Sequence, residues 1–418
     1  MKGFEQRLVA LTMCSHALVH FFELSFPTVL QLVSEEYHLS LAGAGGLGNI
    51  FPFFFGLGAI PAGVIVDHFG SRRTLLSYLL VCGSAGILTL IVKPLWGIAI
   101  LMLIMGIFAG LYHPAGLALL SKNTQKIGQA MGFHGVGGSL GVALAPIYSA
   151  IIADITTWRG VYASLAIPSI FIALWFRLDK PIWKSSCENS YNYKKRASDE
   201  TFEAKEAHST HPFRPKTFAV WLALGILFWL QVLNGFCYRG LLTFLPTFFG
   251  ERINHGFVES KLLAAGGLTT AILIIGVVGQ YLGGLSADKW KAEVVYALCF
   301  TVATPFLLVL AFVGGLQMVI SAGIFAFVYF GTQPVGNKLL SQITHPSFRG
   351  RAFGLFFFAN FGVGSFSSTL SGWIGENFGL AFIFIFLGLV LLGVSLTAWL
   401  LVLLTKKWKI VENQPTSF

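Results

Sequence analysis

The sequence predicts an all-α membrane protein with about twelve transmembrane helices in two pseudo-symmetric six-helix bundles. Three observations carry that expectation. Hydrophobic residues make up 55% of the 418 and charged residues only 11%, and the mean hydropathy of +0.74 is more than a water-exposed surface tolerates. The apolar residues fall in runs of about 20, the length of a spanning helix, which excludes a β-barrel of short alternating strands. Landmarks of the first half also recur about 220 residues later in the second.

In chain order the apolar runs cover 8–30, 41–66, 74–92, 95–120, 129–152 and 160–178, then 217–249, 261–287, 294–313, 316–340, 352–374 and 380–404. Residues 1–178 therefore read as an N-terminal six-helix bundle and 217–404 as a C-terminal one. Between them, 179–216 mixes both charge signs with Ser, Asn and Glu and reads as a cytoplasmic linker, and 405–418 as a cytoplasmic tail. The first run is long and carries His16, His20 and Glu23, so it is read as a span and not as a cleavable signal. Cys14, Cys82, Cys237 and Cys299 lie in apolar runs and Cys187 in a polar loop, which is no disulfide framework.

The net charge of +10 is explained by where it sits. Of the 28 Lys and Arg residues, 23 fall in alternate loops on one side; Lys93, Arg159, Arg252 and Lys261 fall on the other, and Arg239 lies inside a span. The positive-inside rule then puts both termini in the cytoplasm of a multi-pass protein of the cell (inner) membrane. The basic excess reports topology, and nucleic acid is not expected as a partner.

The repeat has several landmarks. Gly63-Val-Ile-Val-Asp67-His-Phe-Gly70-Ser-Arg72-Arg73 punctuates two apolar runs, and Gly284-Leu-Ser-Ala-Asp288 repeats its opening spacing. Phe26-Pro27-Thr28 matches Leu245-Pro246-Thr247, and Pro114, Gly116 and Leu119 to Ser121 match Pro334, Gly336 and Leu339 to Ser341. Gly128 and Gly132 match Gly350 and Gly354. Parallel repeats of this kind place a pathway between the halves near the membrane midplane.

Ionisable groups within a span need a partner or an aqueous cavity. His16, His20 and Glu23, at i, i+4 and i+7, share one face of the first helix, and Glu23 is the expected proton carrier with the two imidazoles beside it. In the seventh span Gln231, Asn234 and Tyr238 form a stripe, and Arg239 falls opposite His20 in the repeat. Arg239 is expected either to pair with Glu23 or to receive an anionic group of a substrate. His113, His134, Gln333, Asn337, Tyr329 and Asn360 complete the expected cavity, with Tyr329, Gln333 and Asn337 read as one stripe at i, i+4 and i+8. No metal site is expected, because His113, His134 and Asp67 sit on separate helices without ligand spacing, and no cofactor is expected. The sequence contains no G-x-x-x-x-G-K-[ST] nucleotide-binding signature.

The segment from Gly63 through Asp67 and Gly70 to Arg72 and Arg73 resembles the loop signature of the major facilitator superfamily, and its partial copy at Gly284 and Asp288 strengthens the resemblance. The resemblance implies the major facilitator fold, a monomer, and these seven residues as gating elements on the cytoplasmic side. The run from Gly141 through Pro146 to Ala150 resembles a degenerate form of the glycine–proline element of superfamily antiporters, which implies a bend that seals one side of the pathway. Phe108-Ala-Gly-Leu-Tyr-His-Pro114, Gly128-Gln-Ala-Met-Gly-Phe133 and Gly354-Leu-Phe-Phe-Phe-Ala-Asn-Phe-Gly362 are similar to fosmidomycin-resistance-type exporters, although the fourth span lacks the arginine of drug exporters. That resemblance implies proton-coupled export of small compounds, anionic ones among them, by alternating access. A proton/solute symporter for uptake is the alternative; a membrane-embedded enzyme or a channel is a remote one.

Overall fold

A computed structural model describes residues 3–182, 218–253, 260–344 and 349–408, so the linker beyond 182 and the tail beyond 408 lie outside the described residues. Regular structure among those residues is helical throughout. The rods are α1 Gly3–Tyr37, α2 Leu41–Phe69, α3 Ser71–Leu88, α4 in segments Leu95–Gly110 and Tyr112–Asn123, α5 Ile127–Ile155, and α6 in segments Trp158–Ser164 and Ala166–Leu178. The second set is α7 Phe218–Arg252, α8 Lys261–Lys289, α9 Ala292–Leu310, α10 in segments Gly315–Phe330 and Thr332–Ile343, α11 in segments Arg349–Phe357 and Ser367–Phe378 joined by tighter and wider turns, and α12 Leu380–Trp408. Eleven of them are long and apolar enough to cross a membrane.

The exception is α3, whose first turn spends two positions on Arg72 and Arg73. It stops at Leu88, short of the apolar run's end at 92, where the Thr89 hydroxyl lies 2.7 Å from Gly86 O and 3.2 Å from Arg159 O. Other helices overrun their apolar stretches because polar ends find partners. α1 continues to Tyr37, for example, where Glu36 accepts from Trp158 Nε1 at 2.6 Å and Tyr37 OH accepts from Arg159 at 2.8 Å.

The packing is duplicated. α2 lies on α4 as α8 lies on α10, α3 on α6 as α9 on α12, and α1 on α5 as α7 on α11. Glycines make the matching seams. A Cβ on Gly58 would meet the Ile107 carbonyl, and one on Gly279 would overlap the Phe327 carbonyl, so at both places only glycine allows the backbones to touch. In the second seam the close approach falls at Gly279 and Gly283; Gly284 itself has only the Pro334 ring, at 3.7 Å. The two sets of helices meet through α2 on α11 and α5 on α8, with α1 on α7 between them.

Among the described residues these seams are tightest at one end, the closed end. At the end where α2 starts, a Cβ on Gly45 would strike Ser368 O, one on Gly372 Leu41 O, and one on Gly266 the Ala150 side chain and Pro146 O. Hydrogen bonds join the same faces: Ser260 Oγ donates to Asp154 at 2.6 Å, and Ala42 N, in the first turn of α2, to Glu376 at 3.2 Å. Pro146 removes a backbone donor from α5, and the next amide, Ile147 N–H, crosses to Thr270 Oγ1 of α8 at 3.1 Å. At the opposite end, which carries Arg72 and Arg73, a Cβ added to Gly63, Gly132, Gly135 or Gly354 would meet nothing within 4 Å. Gly63, Gly132 and Gly354 lie on α2, α5 and α11, helices that interlock at the closed end.

Candidate functional site

The site grows from the buried face of α1. Thr12 and Ser15 hydrogen-bond back into their own helix, Ser15 Oγ to Leu11 O at 2.8 Å, so the groups on this face that look outward for partners are His16, His20 and Glu23. Glu23 is 2% exposed and Arg239, from α7, also 2%. The carboxylate bridges the two sets of helices: Oε2 accepts from His20 Nδ1 at 2.7 Å, and Oε1 accepts from Arg239 Nη2. Of the two roles expected for Arg239, the structure shows the pairing with Glu23. Tyr238 and Phe361 flank its guanidinium with ring centroids 5.7 and 5.8 Å from Cζ, and its Nε has no partner among the described residues. An ion pair this deep is held by geometry on both sides, and removing one member leaves an uncompensated buried charge.

Below it, imidazoles from three helices gather. α4 breaks at Leu111, where Pro114 cannot donate to Gly110 O, and the break turns Tyr112 and His113 toward α1. Tyr112 OH donates to Thr12 O at 2.6 Å, and His113 sits edge-on to His16 with centroids 4.9 Å apart. His134 of α5 stacks on His16 at 4.3 Å and 18°, and the His134 carbonyl accepts from His16 Nδ1 at 2.9 Å. Ligand atoms of His16, His20 and His113 all lie within 4.8 Å of one another. The set weighed from the sequence is His113, His134 and Asp67; the structure instead gathers His16 and His20 with His113, because separation in sequence says nothing about separation between packed helices.

The remaining residues divide into three groups. Tyr329 is buried and donates to Asn234 O at 2.9 Å on α7, and the Asn360 backbone of α11 lies against Gly235 of α7. Gln333 and Asn337 are exposed, one and two turns beyond the buried Tyr329. Gln333 accepts from Gln280 at 2.6 Å, and Gln280 accepts from Ser139 at 2.8 Å, a chain that crosses from α10 through α8 to α5. Gln231 is half-buried on α7.

Among the residues expected to gate, Gly70 turns α2 into α3 at φ +82°, as Gly379 turns α11 into α12 at φ +97°, a region that favours glycine. Asp67 and Arg73 are exposed and Arg72 half-buried at the open end. Asp288 pairs with Lys338 at 2.7 Å. Gly141 lies against the Ala17 backbone and so packs α5 on α1, whereas Pro146 lies at the seam with α8.

Sequence reasoning missed an aromatic barrier beside the histidines. Phe55 of α2 lies 5.2 and 5.4 Å from Phe357 and Phe361 of α11, which stack at 4.4 Å, and His113 closes the ring 5.0 Å from Phe357. Phe361 rides on a π-helical turn at Phe358–Gly362, a feature that often marks a functional bend. The aromatic run 356–358 was visible, but in so apolar a chain nothing separates a barrier from lipid-facing side chains.

The chain matches the Major Facilitator Superfamily over residues 12–332 and 262–416. It is 24% identical over 383 residues to a probable L-galactonate transporter of Escherichia coli, covering 86% of this chain and 81% of that protein. It is 27% identical over 265 residues to a probable sulfoacetate transporter of Cupriavidus necator, covering 62% of this chain and 59% of the relative, less than two thirds of the latter's length. Its fold is similar to the crystal structure of a bacterial homologue of the human lysosomal transporter Spinster, inward-facing and unoccupied, with a TM-score of 0.75 at 14% identity over 97% of this chain and 98% of the other.

Proposed function

Because the chain belongs to the Major Facilitator Superfamily, we propose that it moves a small organic anion across the inner membrane by alternating access, as a monomer, with the proton as coupling ion and both termini in the cytoplasm. The observation that carries the reading is the buried Glu23–Arg239 pair joining the two sets of helices. A guanidinium fork matches a carboxylate or sulfonate, and Arg239 keeps an unpaired Nε beside its bound carboxylate. L-galactonate and sulfoacetate, which the relatives are named for, are both anions at neutral pH and support the same class.

The distribution of Lys and Arg supports a cytoplasmic open end, which makes this conformation the inward-facing one. An anion arriving from that side competes with Glu23 for Arg239. The pair is neutral as a unit, so an added anion leaves one negative charge buried, at a cost of several kcal/mol unless a cation enters with it. Anion and cation therefore travel together, which favours symport and uptake. Export by exchange with protons is the second reading, favoured by the motif around His113-Pro114, and it fits a substrate that competes with protons.

The test is transport into proteoliposomes with a pH gradient imposed acid outside. Labelled L-galactonate or sulfoacetate is expected to accumulate, and a protonophore or Arg239→Gln to abolish accumulation. Accumulation unaffected by the protonophore removes the proton as coupling ion. Depletion of the anion from cells expressing the protein, in place of uptake, would favour the exporter.

A further inference from the structure

Beyond the anion site, we propose that His16, His20 and His113 bind a divalent transition-metal ion of the Zn2+ or Co2+ class through their Nε2 atoms, leaving a fourth position open. The tautomers are set for it. The His134 carbonyl can only accept, so His16 Nδ1 carries the proton at 2.9 Å and Nε2 is a bare lone pair. His20 Nδ1 donates to Glu23 at 2.7 Å, which likewise turns Nε2 outward as a ligand. Carboxylate and carbonyl partners of this type orient metal-binding histidines and raise their basicity.

The second observation is that His16 Nε2 and His113 Nε2 are buried with no hydrogen-bond partner among the described residues. Buried polar atoms are seldom left so, and a bound ligand accounts for two of them in rings 4.9 Å apart. The spacing is also suitable. His16 and His20 lie one turn apart on α1, the separation by which a single helix offers two imidazoles to one metal. Their ligand atoms and that of His113 fall within 4.8 Å of one another. Tetrahedral coordination at about 2.0–2.1 Å brings ligand nitrogens to about 3.4 Å, so side-chain rotations moving each atom by about 1 Å complete the set. Three imidazoles favour zinc, cobalt, nickel or copper over magnesium or calcium, which prefer oxygen. His134 also has an unpartnered Nε2, but its ring lies flat on His16 and stands outside the set.

The experiment uses the full-length, untagged protein in detergent, freed of metal with a chelator and titrated with CoCl2 alone. One equivalent is expected to give the intense visible bands of four-coordinate Co2+, bleached by Zn2+. His113→Asn and His20→Gln should each weaken binding at least tenfold, and Glu23→Gln, which removes the negative charge of the carboxylate partner of His20, about tenfold. His134→Asn, which disturbs the same packed cluster without removing a ligand, should keep the bands. Absence of the bands in the wild type overturns the proposal, as does Co2+ binding unchanged in folded His113→Asn or His20→Gln. The anion reading is tested separately by transport in chelator-treated vesicles, so failure of one leaves the other distinguishable.

Discussion

α1, α4 and α5 bring His16, His20, Glu23, His113 and His134 together in one buried cluster, whereas α7 and α11 bring Arg239 flanked by Tyr238 and Phe361. The two sets of helices that hold these walls pack alike, down to the paired glycine seams at Gly58, between α2 and α4, and Gly279, between α8 and α10. The scaffold is therefore repeated while the chemistry is divided. One wall holds lone pairs and a carboxylate, the other a fixed cation, and the ion pair of Glu23 with Arg239 joins them. Such a contact can change partners without either wall unfolding.

Breaking the contact from the cationic side should have the largest effect. Arg239→Gln leaves Glu23 buried with only His20, and stability is expected to fall by roughly 3–5 kcal/mol, read as a lower unfolding temperature in detergent. Adding Glu23→Gln should restore most of that loss because no charge is then stranded, while transport stays absent. A double variant as unstable as Arg239→Gln would show that shape, not charge, holds the walls together.

A smaller effect is expected at the closed end. In Gly372→Val a side chain must fit where Cβ already strikes the Leu41 carbonyl, so α2 and α11 have to part. Overpacking of this kind costs about 1–3 kcal/mol, enough to shift the two-state balance by about tenfold. A cysteine placed at Ser368 should then react correspondingly faster with a membrane-impermeant thiol reagent applied from that side; an unchanged rate would mean that this seam does not set the conformation. The least effect is expected of Thr270→Val, which removes the acceptor of Ile147 N–H and costs about 1 kcal/mol, a shift of about fivefold in the same assay.

Much of this architecture was legible because the bilayer makes its rules strict. Glu23 and Arg239 stood out as ions in apolar runs, and the repeat aligned α1 with α7 before any contact was known. The histidine cluster was not legible as a unit, since it depends on how α4 bends at Leu111 and on which face α5 turns to α1. The stripe of Tyr329, Gln333 and Asn337 runs from a buried position to exposed ones, a change of surroundings that spacing alone does not show. Among 47 glycines, sequence spacing could not single out Gly279 and Gly283 over Gly284, because a seam is defined by the carbonyl that faces it.

Direct binding of labelled L-galactonate and sulfoacetate to purified wild type, Glu23→Gln and Arg239→Gln tests the central claim. If Glu23 and the substrate anion compete for Arg239, Glu23→Gln should bind at least one of the two anions about tenfold or more tightly than wild type, the worth of a charge-assisted hydrogen bond, and Arg239→Gln should bind neither. Undiminished binding by folded Arg239→Gln, or weaker binding by Glu23→Gln, would contradict the account.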